Sequence, residues 1–201
     1  MRNAGDLTLQ TVNASGAVEI RATTDLNVND LDAAGAITLT SEGGNLNVSD
    51  GSIVSPTADI ALTATAGSIL DFDGGTTSSI LTGGVVTMDA RDGIGASSDA
   101  IDTSGATLEA RSTAGDIYTR EIDGVTLGAT GGFAQSLNAG GELSITSVAG
   151  TLDVIEAIQA AGSASIAGDV VQISANVTAN GVGVAAASSV TVTDPAQLVS
   201  G

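Results

Sequence analysis

The chain has 201 residues and a formal charge of −18, with 23 acidic residues against five basic ones, all arginine. Such a polyanion repels phosphate backbones and argues against nucleic acid as a partner. With no Cys, His or Lys, disulfides, nucleophile–His pairs and Schiff-base chemistry are excluded. Only Phe72, Tyr118 and Phe133 are aromatic while Gly numbers 27, a poor recipe for a broad globular core and a good one for a narrow aliphatic one.

Residues 5–15 (GDLTLQTVNAS) open the chain with Leu7 and Leu9 alternating with polar residues. In residues 16–48 the same device is stated and restated. Val18 and Ile20 return as Ile37 and Leu39 after nineteen residues, and Leu26 and Val28 return as Leu46 and Val48 after twenty. A short alternation, a turn, a second alternation and a return after about twenty residues describe a coil that stacks on copies of itself. The coil at 35–57 is widened by GSIVSPT, ADIALTAT and GSILDF follow, and the loop GGTTSS absorbs extra length.

VVTMDA and the irregular RDGIGASSDAID make the next coil, and GATLEARSTAGDIYTREID at 105–123 restores regularity. GVTLGATGGFAQSLNAG, GELSITSVAGTLDVIEAIQAA, GSASIAGDVVQISANVTAN and GVGVAAASSVTVTDPAQLVSG complete the series. The pattern predicts an all-β, right-handed, single-stranded parallel β-helix of about ten coils of roughly 19–23 residues, its handedness following from the general preference of parallel crossovers. At about 4.8 Å per coil the column would be about 45–50 Å long. A β-sandwich also uses short strands every 8–12 residues, but does not require near-identical returns.

No apolar run approaches the roughly 20 residues that cross a bilayer. The opening MRNAGDLTLQ has no charged segment leading into an apolar one, so a signal peptide is not expected. The whole of 1–201 reads as one β-helix segment of a longer repetitive protein.

GDLTLQTVNASGAVEIRATTDLNVNDLDAAGAITLTSEGGNLNV, GATLEARSTAGDIYTREID and GGELSITSVAGTLDV resemble the repeat shaft of filamentous haemagglutinin-type exoproteins, through a degenerate pattern of Gly followed by alternating aliphatics. That resemblance implies a right-handed parallel β-helix, two-partner secretion through an outer-membrane partner, and a surface location. It also implies a shaft that carries an adhesive end towards a host or partner cell. The expected role is therefore structural and adhesive, not enzymatic.

Carboxylates are the only chemistry-bearing groups in number. Asp71 and Asp73 in LDFDGG and Asp89 and Asp92 in MDARDG flank irregular loops of neighbouring coils. If brought together they offer hard oxygen ligands for calcium. Asp before Gly equally makes a turn, and neither the nonapeptide nor the EF-hand calcium pattern occurs. A carbohydrate-active β-helix enzyme is the alternative role, with these four acids as its candidates.

The residues expected to face outwards, Thr8, Glu19, Asn27, Thr38, Asn47, Ala61, Thr87, Glu109, Ser144, Asp153, Gln172 and Thr191, form a mixed solvated face. They do not repeat one residue type as an ice-binding plane would. Asn27 and Asn47 are placed to stack as an amide ladder. Asn13, Asn47 and Asn176 begin N-glycosylation sequons. Loops 73–84 and 92–104 are the candidate binding loops, and a column with uncovered ends is expected to associate end to end.

Overall fold

The computed structural model describes residues 1–48, 52–72, 80–128, 133–193 and 195–201. Among the described residues it is all β: 26 strands pair in parallel as a β-solenoid of about nine turns, a parallel β-helix. No helix among the described residues is long and apolar enough to cross a membrane.

The returns read from the sequence are the pairing register. Val18 lies against Ile37 and Leu26 against Leu46, with the inward rows buried. Each early coil, however, has three strands where two alternations were evident. Val18–Ala22 forms a first face, Leu26–Val28 a second and Leu31–Ala33 a third. The third carries a weak apolar signal, because it is only three residues long and Leu31 follows Val28 after just two residues. The burial of Leu31 and Ala33 is complete or nearly so, since the next coil brings Ile53 over Leu31.

Asx side chains staple the corner before the second face. Asp6 accepts the backbone N–H of Asp25, Asp25 that of Asn45, and Asn45 that of Ser68. The same kind of bond recurs there from Glu142 to Asp116, and at the corner before the first face from Val85 to Asp59. Hydrogen bonds from Thr24 and from the Asp25 backbone hold the Asp6 carboxyl below its usual range. Gly44 and Gly141 precede two of these donors, and a Cβ at either would collide with the accepting Oδ1. Part of the acidity is thus structural: Asp satisfies a corner N–H that would otherwise lack a partner.

The coil changes shape midway. Ile117–Glu121 pairs with both Gly93–Ile94 and Ile101–Ser104, so one corner of the coil below has no counterpart. Conversely, Thr107–Ser112 is covered by two strands, Val125–Leu127 and Leu137–Ala139, with 128–136 inserted between them. Near the C-terminal end, Ser163–Ile173 merges two faces through an irregularity between Gly168 and Val170 and pairs with the twelve-residue strand Gly181–Val192. The widths read as 19–23 residues per coil therefore conceal migrating corners.

Two of the residues expected to be solvated are buried. Asn47 donates to the Asn27 Oδ1 at 2.8 Å, which forms the expected amide ladder and leaves the Asn47 side chain buried. Glu109 is fully buried, at the point where its strand passes from one covering strand to the other.

Candidate functional site

Asp89 occupies an outward position on the first face, between Thr63 on one neighbouring coil and Arg111 on the other. Both oxygens of its carboxylate accept from the Arg111 guanidinium, from Nε at 3.0 Å and from Nη2. This bond holds the Arg111 guanidinium above its ordinary range, against a smaller opposing effect of burial. The Phe133 ring lies 4.8 Å from the guanidinium carbon on the other side, a cation–π contact. Asp89, Arg91, Arg111 and the hydroxyls of Thr63, Thr65 and Thr113 line an open groove of about 370 Å³.

Of the four sequence candidates, the described Asp71, Asp89 and Asp92 lie at different places on the column. Asp71 is buried on the second face, whereas Asp89 is on the first. Asp92 lies beyond the following corner, 3.7 Å from the Arg91 guanidinium. Asp73 is outside the described residues. A cation entering this groove would compete with two guanidiniums. Among the described residues no group of three or more His, Cys, Asp or Glu is arranged to hold a metal ion.

Of the candidate loop 73–84, residues 73–79 are outside the described residues. In loop 92–104, Ala96 and Asp99 exchange backbone hydrogen bonds at 2.8 and 3.0 Å, and Ile101–Ser104 is a strand of the third face. Asp102 is buried under Arg120, with 2.7 Å between Oδ2 and Nη1. This stretch is therefore built into the column.

The least ordinary carboxyl is one that the sequence candidates omitted. In Ile117–Glu121 the inward positions are 117, 119 and 121, so Glu121 projects inside and is fully buried. Its position between Thr103 and Ser147 in the stacking register produces a polar patch within the core. Thr103 donates to Oε2 at 2.5 Å and the Gly105 N–H to Oε1 at 3.2 Å.

Desolvation pushes the Glu121 carboxyl up to about 8, reinforced by a hydrogen bond to Asp123 and by its charge, and opposed by the Thr103 and Gly105 bonds. Burial thus keeps the Glu121 carboxyl protonated at neutral pH. Asp123, Thr126, Asp153 and Gln172 border a second open groove of about 440 Å³. Parity was the available signal: counting by twos from Ile117 places Glu121 on the apolar row.

Tyr118 is the other strongly perturbed group. Burial, the hydrogen bond to Glu142 and nearby Asp116 push its hydroxyl up to about 12.

These features define the chain as a β-solenoid with polar grooves along its sides. In comparisons with protein families, curated proteins and solved structures, no match was found.

Proposed function

We propose that this chain is a shaft segment of a secreted, surface-displayed exoprotein that attaches its bearer to host or partner cells, with an outer-membrane protein as its export partner. The supporting observation is the parallel inter-coil ladder that runs through the described residues. Each coil hides its aliphatic row only against the next, so every added coil adds about 4.8 Å of stiff length. Binding to another cell is assigned to other parts of the parent protein, and the column provides reach.

Protease shaving of intact source cells, followed by mass spectrometry, tests this role. Release of peptides from 1–201 before lysis is expected, from a parent much longer than this segment. Peptides found only after lysis would overturn the surface reading.

A carbohydrate-active enzyme is the second reading, and one observation favours it: the exposed Asp123 borders an open groove that also holds Asp153. Glycoside hydrolysis uses two carboxyl groups that flank the scissile bond, and these two border one groove. On this reading, a panel of neutral and acidic polysaccharides yields a substrate whose turnover falls at least about 100-fold in Asp123→Asn. Failure of all of them, with and without calcium, would remove it.

A further inference from the structure

The groove beside Asp89 is where positive charge collects in this acidic chain. Two of the five basic residues, Arg91 and Arg111, line it against a single carboxylate, that of Asp89. Register produces the arrangement. Thr63, Asp89 and Arg111 form one outward row on three successive coils. Two residues further along the same coils, Thr65, Arg91 and Thr113 form a second row, with Ala64 and Ala90 between the rows. The backbone of the second row is engaged in the ladder: the Arg91 N–H donates to the Ala64 carbonyl at 3.1 Å and the Thr113 N–H to that of Ala90 at 3.0 Å. The side chains of Arg91 and Thr113 therefore stand on a fixed backbone.

Arg91 differs from the other four arginines. Arg2, Arg21, Arg111 and Arg120 each donate to a carboxylate, at 3.0, 3.2, 3.0 and 2.7 Å. Arg91 approaches Asp92 only to 3.7 Å, beyond hydrogen-bonding distance, and its side chain is 63% exposed. Among the described residues it is the one guanidinium without a hydrogen-bonded carboxylate, and it faces a groove.

We propose that this groove binds a hydroxylated carboxylate, a sugar acid of the uronate kind, with the ligand carboxylate on Arg91 and its hydroxyls on Asp89 and the threonines. A guanidinium presents a planar fork of donors that matches a carboxylate two bonds at a time. Each Asp89 oxygen accepts one bond from Arg111. The remaining lone pairs need donors, which sugar hydroxyls supply and a bare inorganic anion does not. Arg111 is held between Asp89 and the Phe133 ring, so it fixes the Asp89 carboxylate in place and leaves the ligand's charge to Arg91. A singly charged ligand also meets less repulsion from a chain of formal charge −18 than a phosphate or sulfate dianion does. The groove's 370 Å³ lies at the small end of the usual range for ligand sites, about 300–1,000 Å³. The inference needs only the stacked coils, so it stands or falls separately from the surface location and from turnover at the Asp123 groove. It gives the shaft a weak lateral site, while attachment to another cell stays with other parts of the parent.

Amide NMR titration of the 201-residue protein with glucuronate tests this. Saturable shifts confined to the groove are expected, with a Kd of about 1 mM. Glucose, acetate and inorganic sulfate should each bind at least about tenfold more weakly, since each lacks either the carboxylate or the hydroxyls. Arg91→Gln should weaken glucuronate at least about tenfold, and so should Arg91→Lys, which keeps the charge but loses the fork. Arg21→Gln, which removes a guanidinium already bonded to Glu19, should leave binding unchanged. Tighter binding of an oligogalacturonate than of glucuronate would identify a polymer as the ligand's source, and equal binding a free sugar acid. Absence of saturable shifts with glucuronate, equal binding of acetate or sulfate, or full binding by Arg91→Gln would each overturn the proposal. The comparison among ligands uses the unsubstituted chain and so does not depend on how any variant folds.

Discussion

Replacing Glu121 by Gln should stabilise the column at neutral and alkaline pH and flatten its pH profile. The folded protein holds the Glu121 proton to about pH 8, against an ordinary value of 4.5. The folded state therefore binds this proton more tightly than the unfolded chain. Its contribution is fully present below the unfolded pKa and is lost as pH rises through the folded one, the window being about 4.5 to 8. At 1.36 kcal/mol per pH unit, the loss is about 3 kcal/mol near pH 7 and about 5 kcal/mol above pH 8.

Glutamine removes that titration while retaining the pattern of partners. Its oxygen can accept from Thr103 or Gly105, and its amide can donate to Asp123. Chemical denaturation from about pH 5 to pH 9 should show the slope in the parent and its disappearance in Glu121→Gln. A slope that persists unchanged in the variant would mean that Glu121 is not the responsible group. The unfilled hydrogen-bonding capacity of Thr119 Oγ1, on the same inward row, adds to the cost of the polar patch.

The second large effect is expected at Gly115. A Cβ there would overlap the carbonyl oxygen of Asp92 on the neighbouring coil, and the obstruction is backbone, which cannot rotate away. The Gly115 carbonyl also accepts the N–H of Gly141 at 3.0 Å, so the corner is held from both sides. Gly115→Ala should cost about 2–3 kcal/mol through forced separation of the coils. Gly16→Ala supplies the contrast: its Cβ meets nothing within 4 Å, so a neutral effect or a small gain of about 0.4–1 kcal/mol is expected from the stiffer unfolded chain. Equal losses at both sites would indicate that backbone entropy, and not the stacking distance, governs these corners.

The nineteen- and twenty-residue returns between Val18 and Ile37 and between Leu26 and Leu46 were legible because a stacked coil must present an aliphatic residue at each inward rung. That periodic demand is local, and so the sequence by itself determined the parallel column, its aliphatic core and the Asn27–Asn47 ladder. The choice among the carboxylates was not local. Asp89 and Asp92 look alike in MDARDG, yet Arg111 arrives over Asp89 only because the next coil is in register. Glu121 looks like a surface residue until its parity along Ile117–Glu121 and the merging of two faces place it inside. Tertiary structure alone decided where corners migrate and which acids are bonded. Those outcomes depend on how insertions accumulate between coils, and each shifts the register of everything stacked above it.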